Sequence, residues 1–272
     1  MYGSCIIVFR ETLEAALIVG IITAATRGVP RRNHWLIAGI AAGLAGSVVV
    51  AAATNVIAEM ASGFGQELFN AGVLGIAVLM LAWHNIWMAA HSKELAVHAS
   101  NTGRAISDGK RECSVLFVII ALALLREGSE TVLFLYGIAT AAGQSPHTMF
   151  VGGLLGLTGG VAVGWTLYAG LLRIPLRWFF SVTSLLVLLL AAGMASQAAR
   201  LLIQANLLPS LASPLWDTSS LLPPDSVLGT LLHGLAGYDA RPAGMQIIFY
   251  AVVLVSIVIG MKLIRQPQQP SK

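Results

Sequence analysis

Long apolar runs separated by short polar gaps dominate the chain. Seven of these runs reach the roughly 20 residues a helix needs to cross a bilayer. They lie near 4–26, 35–56, 67–90, 113–140, 148–172, 178–205 and 245–264. This pattern predicts an all-α membrane protein, a single transmembrane domain over 1–272 with seven transmembrane helices. Such helices tolerate glycine, so the 28 glycines do not argue against them. The first run is not expected to be a cleaved signal peptide: charges interrupt it and nothing basic precedes it. Residues 206–244, rich in Pro and Ser, read as a long outer loop before the seventh helix. Within that loop, "SVLGTLLHGLAGY" predicts a short helix on or dipping into the outer surface.

Two runs break the apolar pattern in the same way. "FRETLEAALIVG" (9–20) carries Arg10, Glu11 and Glu14, and "LLREGSETVLFLYG" (124–137) carries Arg126, Glu127 and Glu130. Helix positions three and four apart share a face, so each motif is one compact patch of two carboxylates and a guanidinium. A charged residue at the centre of a membrane helix costs about 2.5–3.5 kcal/mol on insertion scales. Six such groups need compensation or a use. Interhelical salt bridging alone is one reading, but buried ion pairs are weak evidence for stability. Intramembrane charges mark ion or substrate paths by default.

Aligning Arg10 with Arg126 also pairs Glu11 with Glu127, Glu14 with Glu130, Leu17 with Leu133 and Ile22 with Ile138. The offset spans three helices, an odd number, so the second copy runs in the opposite direction. The expected plan is a 3+3 inverted repeat, about 4–90 and 113–205, with helix 7 left over at about 245–264. Inverted repeats are a recurrent transporter plan with the substrate near mid-membrane. Together the two patches offer four carboxylates against two arginines, a donor set suited to a hard divalent or trivalent cation.

Composition narrows the class. The chain has 272 residues, 57% hydrophobic and 10% charged, with mean hydropathy +0.81. Soluble domains carry about a quarter charged residues, so a water-facing surface could not be covered. The net charge of +4 is no nucleic-acid footprint, because the basic residues sit in short gaps. Of the 16 Lys and Arg, twelve fall in the gaps after helices 1, 3 and 5 and in the C-terminal tail. The positive-inside rule then puts the N-terminus outside and the C-terminus in the cytoplasm. Cys5 and Cys113 fall on opposite sides in this topology and cannot pair.

The duplicated Arg-Glu-x-x-Glu in helices 1 and 4 resembles the oxidase-dependent iron transporter family, the high-affinity iron permeases of fungal and bacterial plasma membranes. Arg126-Glu127-Gly128-Ser129-Glu130 is similar to the family's Arg-Glu-Gly-x-Glu form, whereas the first copy has Thr12 where the family usually has Gly. The resemblance extends to "LAWHNIWM", "LLLAAGMASQ" and "GYDARPAGMQIIFY" and covers essentially the whole chain. It implies iron uptake across the plasma (bacterial inner) membrane by a multi-pass protein. Iron, as Fe²⁺ or Fe³⁺, would be the transported substrate bound by Glu11, Glu14, Glu127 and Glu130, with no permanently bound cofactor. It also implies a multicopper oxidase, cupredoxin-like or haem peroxidase partner.

Other residues admit two readings. Glu59 and Glu67, in the outer gap between helices 2 and 3, could draw cations to an entrance or be solvated loop acids. Asp217, Asp225 and Asp239 in the outer loop invite the same choice. His84, His91 and His98 recur every seven residues along helix 3 and beyond its inner end. His84, the deepest, is the better candidate for a metal entrance or exit. Met80, Met88 and Met194 could be soft ligands but are ordinary packing residues. Close helix packing accounts for the glycines of helix 5. Two competing functions stay open: a carrier of another cation such as lead or manganese, and an intramembrane polyprenyl pyrophosphate phosphatase. The second would need a phosphate-binding turn, and none is evident; the expectation is a transporter, not an enzyme.

Overall fold

The computed structural model describes residues 1–61, 66–142, 145–169, 176–224 and 226–265. Among these the regular structure is entirely helical. The helices are α1 (Tyr2–Ala25), α2 (Arg32–Ala61), α3 (Gln66–Ser107), α4 (Ser114–Ala142), α5 (Pro146–Tyr168), α6 (Leu176–Gln204), α7 (Val227–Ala236) and α8 (Gly244–Arg265). Five contain stretches long and apolar enough to cross a membrane: Arg32–Thr54, Glu67–Met88, Pro146–Tyr168, Ser181–Gln204 and Gly244–Ile264. The helices α1 and α4, with 24 and 29 residues, have comparable length but carry the charged motifs. At a 1.5 Å rise per residue, each exceeds the roughly 30 Å of a bilayer's hydrocarbon core.

The seven predicted long helices correspond to α1 to α6 and α8. The main departure is α3, which continues to Ser107 where the apolar pattern predicts an end near 90 and a polar gap. Residues 91–107, "HSKELAVHASNTGRAIS", contain no proline, so no residue there forces the helix to stop. Tertiary packing also holds this extension. Ala99 and Ile106 join Ile22 of α1, Leu36 of α2, and Leu116 and Ile120 of α4 in a buried cluster. The short helix expected in the outer loop is α7. Ser226 caps its start by accepting from the Gly229 amide at 2.9 Å. Gly237, with φ of 68°, ends it in the left-handed conformation that glycine adopts without strain.

The helices pack in three principal pairs: α1 along α5, α2 along α4, and α3 along α6, with α8 against α6 and α3. The main core gathers Ile7, Leu74, Leu81, Phe134, Val187, Ala191, Met194 and Ile257. Meanwhile α2 and α5 turn Ile37, Val48, Val49, Phe150 and Trp165 outward. An exposed apolar belt of that extent is a membrane or interaction surface rather than a water-facing one.

Small residues set how closely the motif helices are approached. Gly152, Gly156, Gly160 and Gly164 form one buried stripe of α5. They lie against Ser4, the Cys5–Phe9 backbone, Thr12 and Ala16 of α1. On α2, Gly39 and Gly43 lie against the backbone of α4, and Ser47 packs on Gly128. Without lipid-excluded hydrophobic driving force, such close van der Waals contact is what holds membrane helices together. Thr12 faces Gly160, whereas Gly128 faces Ser47. Each contact therefore pairs one glycine with one hydroxyl residue, and the glycine sits on opposite partners in the two cases.

A side chain at Gly156 would collide with Cys5 O and lie 2.8 Å from Phe9 N. Backbone cannot yield there as a flexible side chain can. Gly156→Ala is expected to lower stability in detergent micelles by about 1–3 kcal/mol. Gly72→Ala, where nothing lies within 4 Å of the added carbon, should leave it unchanged. Chemical-denaturant unfolding followed by circular dichroism distinguishes the two.

Candidate metal-ion site

Each motif presents its charges along one face of its helix, and the contact of α1 with α4 brings the two faces together beside α3. On α1, Arg10, Glu11 and Glu14 are buried, with exposures of 1%, 1% and 4%. Arg10 Nε lies 3.1 Å from Glu14 Oε1, and Arg10 Nη1 lies 3.6 Å from Glu11 Oε1. On α4, Arg126 Nε donates to Glu130 Oε1 at 3.1 Å and stands 3.9 Å from Glu127 Oε1. Glu127 is buried, while Glu130 and Arg126 are part-exposed. The i,i+4 spacing of Arg to the second Glu thus gives the same ion pair on both helices.

The nineteenth residue of α3 intrudes between these pairs: His84, buried like the glutamates. Its Nε2 is 3.6 Å from Glu14 Oε2, and its Nδ1 meets Glu130 Oε2. One imidazole therefore spans a carboxylate from each motif helix. Phe134 packs edge-on against its ring at 6.4 Å. Next in sequence, Asn85 Nδ2 donates to the Ser184 carbonyl at 3.1 Å, fastening α3 to α6 beside the site.

Two overlapping groups of possible ligand atoms result: Glu11, Glu14 and His84, and Glu11, Glu127 and Glu130. Within each group the atoms lie within 4.8 Å of one another. Glu11 belongs to both. Both Glu11 oxygens and Glu127 Oε2 are buried without a hydrogen-bond partner. An unsatisfied buried carboxylate is costly, and a cation is the group that would satisfy these atoms from a shared centre. A cavity of about 370 Å³, lined by Leu79, Met80, Trp83, His84, Trp87, Arg126 and Glu130, opens onto the α3–α4 side of this cluster. Arg126 stacks over Trp87 at 4.6 Å within it.

The remaining sequence candidates lie elsewhere. Glu67 is exposed at the start of α3. Asp225 and the side chain of Glu59 lie outside the described residues. Asp217 accepts from Ser219 N at 2.9 Å and from Arg241 Nε at 2.9 Å. The Ser219 hydrogen bonds, with Arg241 adding to them, hold its carboxyl below the usual range. Asp239 accepts from Arg241 N at 3.0 Å and faces Arg200 at 3.8 Å. Both aspartates fasten the outer segment to itself and to α6. His91 stacks on Trp87 and its Nδ1 bonds the Trp87 carbonyl at 3.0 Å, while His98 is exposed. Met88 and Met194 are buried, Met194 within the main apolar core.

The sequence reading assigns His84 to an entrance or exit; the structure places it among the motif carboxylates. The available signal is a lone His-Asn pair inside an apolar span. Trp87, the platform for Arg126, carries no comparable signal among the chain's six tryptophans.

Apolar helices enclosing a buried set of acids and compensating cations define a membrane protein built around a polar site. The whole-chain comparison supplies its family: the chain belongs to the iron permease FTR1 family, whose model matches residues 1–265. It is 32% identical over 264 residues to the ferrous iron permease EfeU of Yersinia pestis, covering 95% of this chain and 92% of that protein. It is likewise 32% identical over 270 residues to the ferrous iron permease EfeU of Escherichia coli O157:H7, covering 97% and 96%. No solved structure matches. Family membership and the apolar helices make it a multi-pass membrane protein.

Arg10 is the group whose loss should be felt most, because its two glutamates would stay buried without it. Breaking one partner of a buried pair costs about 3–5 kcal/mol, so Arg10→Gln should destabilise by that order. Arg10→Gln with Glu14→Gln should cost less than Arg10→Gln alone. Arg126→Gln, at a part-exposed position, should cost less than Arg10→Gln. Denaturant titration of the purified variants in micelles measures all three.

Proposed function

We propose that the protein imports ferrous iron across the plasma membrane, the inner membrane of a bacterium, through the carboxylates of α1 and α4. The observation that supports this reading is that Glu11 of α1 belongs to two overlapping groups of possible ligands, one with Glu14 and His84 and one with Glu127 and Glu130 of α4. The relatives' names support iron, and ferrous iron in particular, as the substrate. In this reading α1 to α6 and α8 span the membrane, with the N-terminus outside and the C-terminus cytoplasmic. The pairing of α1 with α5 and of α4 with α2 supports the inverted repeat. Each motif helix packs on the second helix of the other repeat, as a two-fold exchange requires.

A cation arriving from outside gives up part of its hydration to the four carboxylates. Until it arrives, Arg10 pairs with Glu14 and Arg126 with Glu130. The ion then takes over part of their pairing with the glutamates. Alternating exposure of the site at the repeat interface releases the ion inward. The folded outer segment, with α7 against the start of α1 and against Gly193 within α6, is the docking place for a periplasmic partner of the cupredoxin-like, haem peroxidase or multicopper oxidase kind. The reading is of a transporter and not an enzyme.

Uptake of radiolabelled iron in cells lacking other importers tests the proposal. Glu11→Gln, Glu14→Gln, Glu127→Gln and Glu130→Gln keep shape and remove the anion, and each should abolish most uptake at normal expression. Normal uptake by these variants would sink it. Stronger competition by manganese or lead than by unlabelled Fe²⁺ would move the substrate to another cation. Deletion of 218–235 should impair uptake if the outer segment docks a partner or closes the entrance. Unchanged uptake would remove that role.

A further inference from the structure

The carboxylates alone form an oxygen site, and carboxylate oxygens also suit Mg²⁺, Ca²⁺ and Mn²⁺. The residue that changes this chemistry comes from the third helix. We infer that His84 is a direct nitrogen ligand of the transported ion, and that it makes the site select transition-metal cations over alkaline-earth cations. This inference rests on the reading of the α1–α4 centre as the transport site.

Three observations place the imidazole there as a ligand rather than a packing residue. His84 is 3% exposed, and both its ring nitrogens face carboxylates, one on α1 and one on α4. A ligand atom of its ring lies within 4.8 Å of one from Glu11 and one from Glu14. Ligands at about 2.0–2.2 Å from a metal sit roughly 3–3.5 Å from one another, so the 3.6 Å between Nε2 and Glu14 Oε2 is near that spacing. The other side of the ring is fixed by Phe134 and by the neighbouring Asn85, which is tied to α6. The ring is thus held in place from a helix that carries no motif.

Imidazole favours iron, zinc, copper and nickel, whereas Ca²⁺ and Mg²⁺ take oxygen ligands. One nitrogen among four carboxylates therefore penalises the abundant hard ions without closing the site to Fe²⁺. His84 also touches both motif helices, so the ligand that selects the ion lies where the two halves meet.

X-ray absorption on the purified full-length chain loaded anaerobically with Fe²⁺ tests this directly. The wild type should show the multiple-scattering signature of one imidazole, and His84→Gln should lose it. In the same variant, the preference for Fe²⁺ over Ca²⁺ in competition binding should fall by at least about tenfold, the scale on which losing even a supporting partner of a metal ligand tells. His98→Gln, at an exposed position, should leave both readouts unchanged. An oxygen-only shell in the wild type, or an unchanged Fe²⁺/Ca²⁺ ratio in His84→Gln, would overturn the inference. If Glu11→Gln and Glu127→Gln bind Fe²⁺ like the wild type, the α1–α4 site itself fails, a separate outcome.

Discussion

Everything in this structure is arranged around ion pairing in a place with little water to replace it. Arg10 lies against Glu11 and Glu14, Arg126 against Glu130, and His84 reaches across to an acid on each motif helix. Bringing four carboxylates into a low-dielectric centre is prohibitively costly unless cations meet them. The arginines supply that compensation from one turn away on the same helix. They leave Glu11 and Glu127 with unsatisfied oxygens, so the protein's own cations stabilise the site without filling it. A site built to be closed would have matched acids and bases; this one has four acids against two arginines.

Helix packing exists to hold that excess in register. The glycine stripe of α5 lets α1 approach until backbone meets backbone, and Gly39 and Gly43 do the same for α2 and α4. Thr12 against Gly160 and Gly128 against Ser47 achieve similar closeness with the small residue on opposite partners. Thr12 of the first motif thus meets a glycine across the interface. The pairing α1–α5 and α2–α4 leaves α3 and α6 to close the third side, and α3 delivers His84 to the centre.

Much of this was legible in the chain because the membrane simplifies the code. Apolar run length located the long helices, and Ser226 with Gly237 marks the ends of a short helix the apolar stretch anticipates. The i,i+3 and i,i+4 spacing of Arg10, Glu11 and Glu14, repeated at Arg126, Glu127 and Glu130, placed each set of charges on one face. The position of His84 was not legible, since periodicity fixes a residue's face on its own helix but not which helix that face meets. The extension of α3 to Ser107 escaped for a related reason. A polar helix past the end of an apolar run has no hydropathy signal, and its stability comes from Ala99 and Ile106 packing on distant residues. Asp217 and Asp239 pair with Arg241 and Arg200, contacts that residue type alone does not reveal.

The central claim is that the two motif helices hold one ion between them. A double-mutant cycle on anaerobic Fe²⁺ binding by the purified chain, using Glu11→Gln and Glu127→Gln, measures this coupling. If one ion bridges α1 and α4, each single change should remove most of the affinity. The double variant should then be little worse than either, so that the two losses are far from additive. Losses that simply add, with each variant keeping an independent site, would contradict the account.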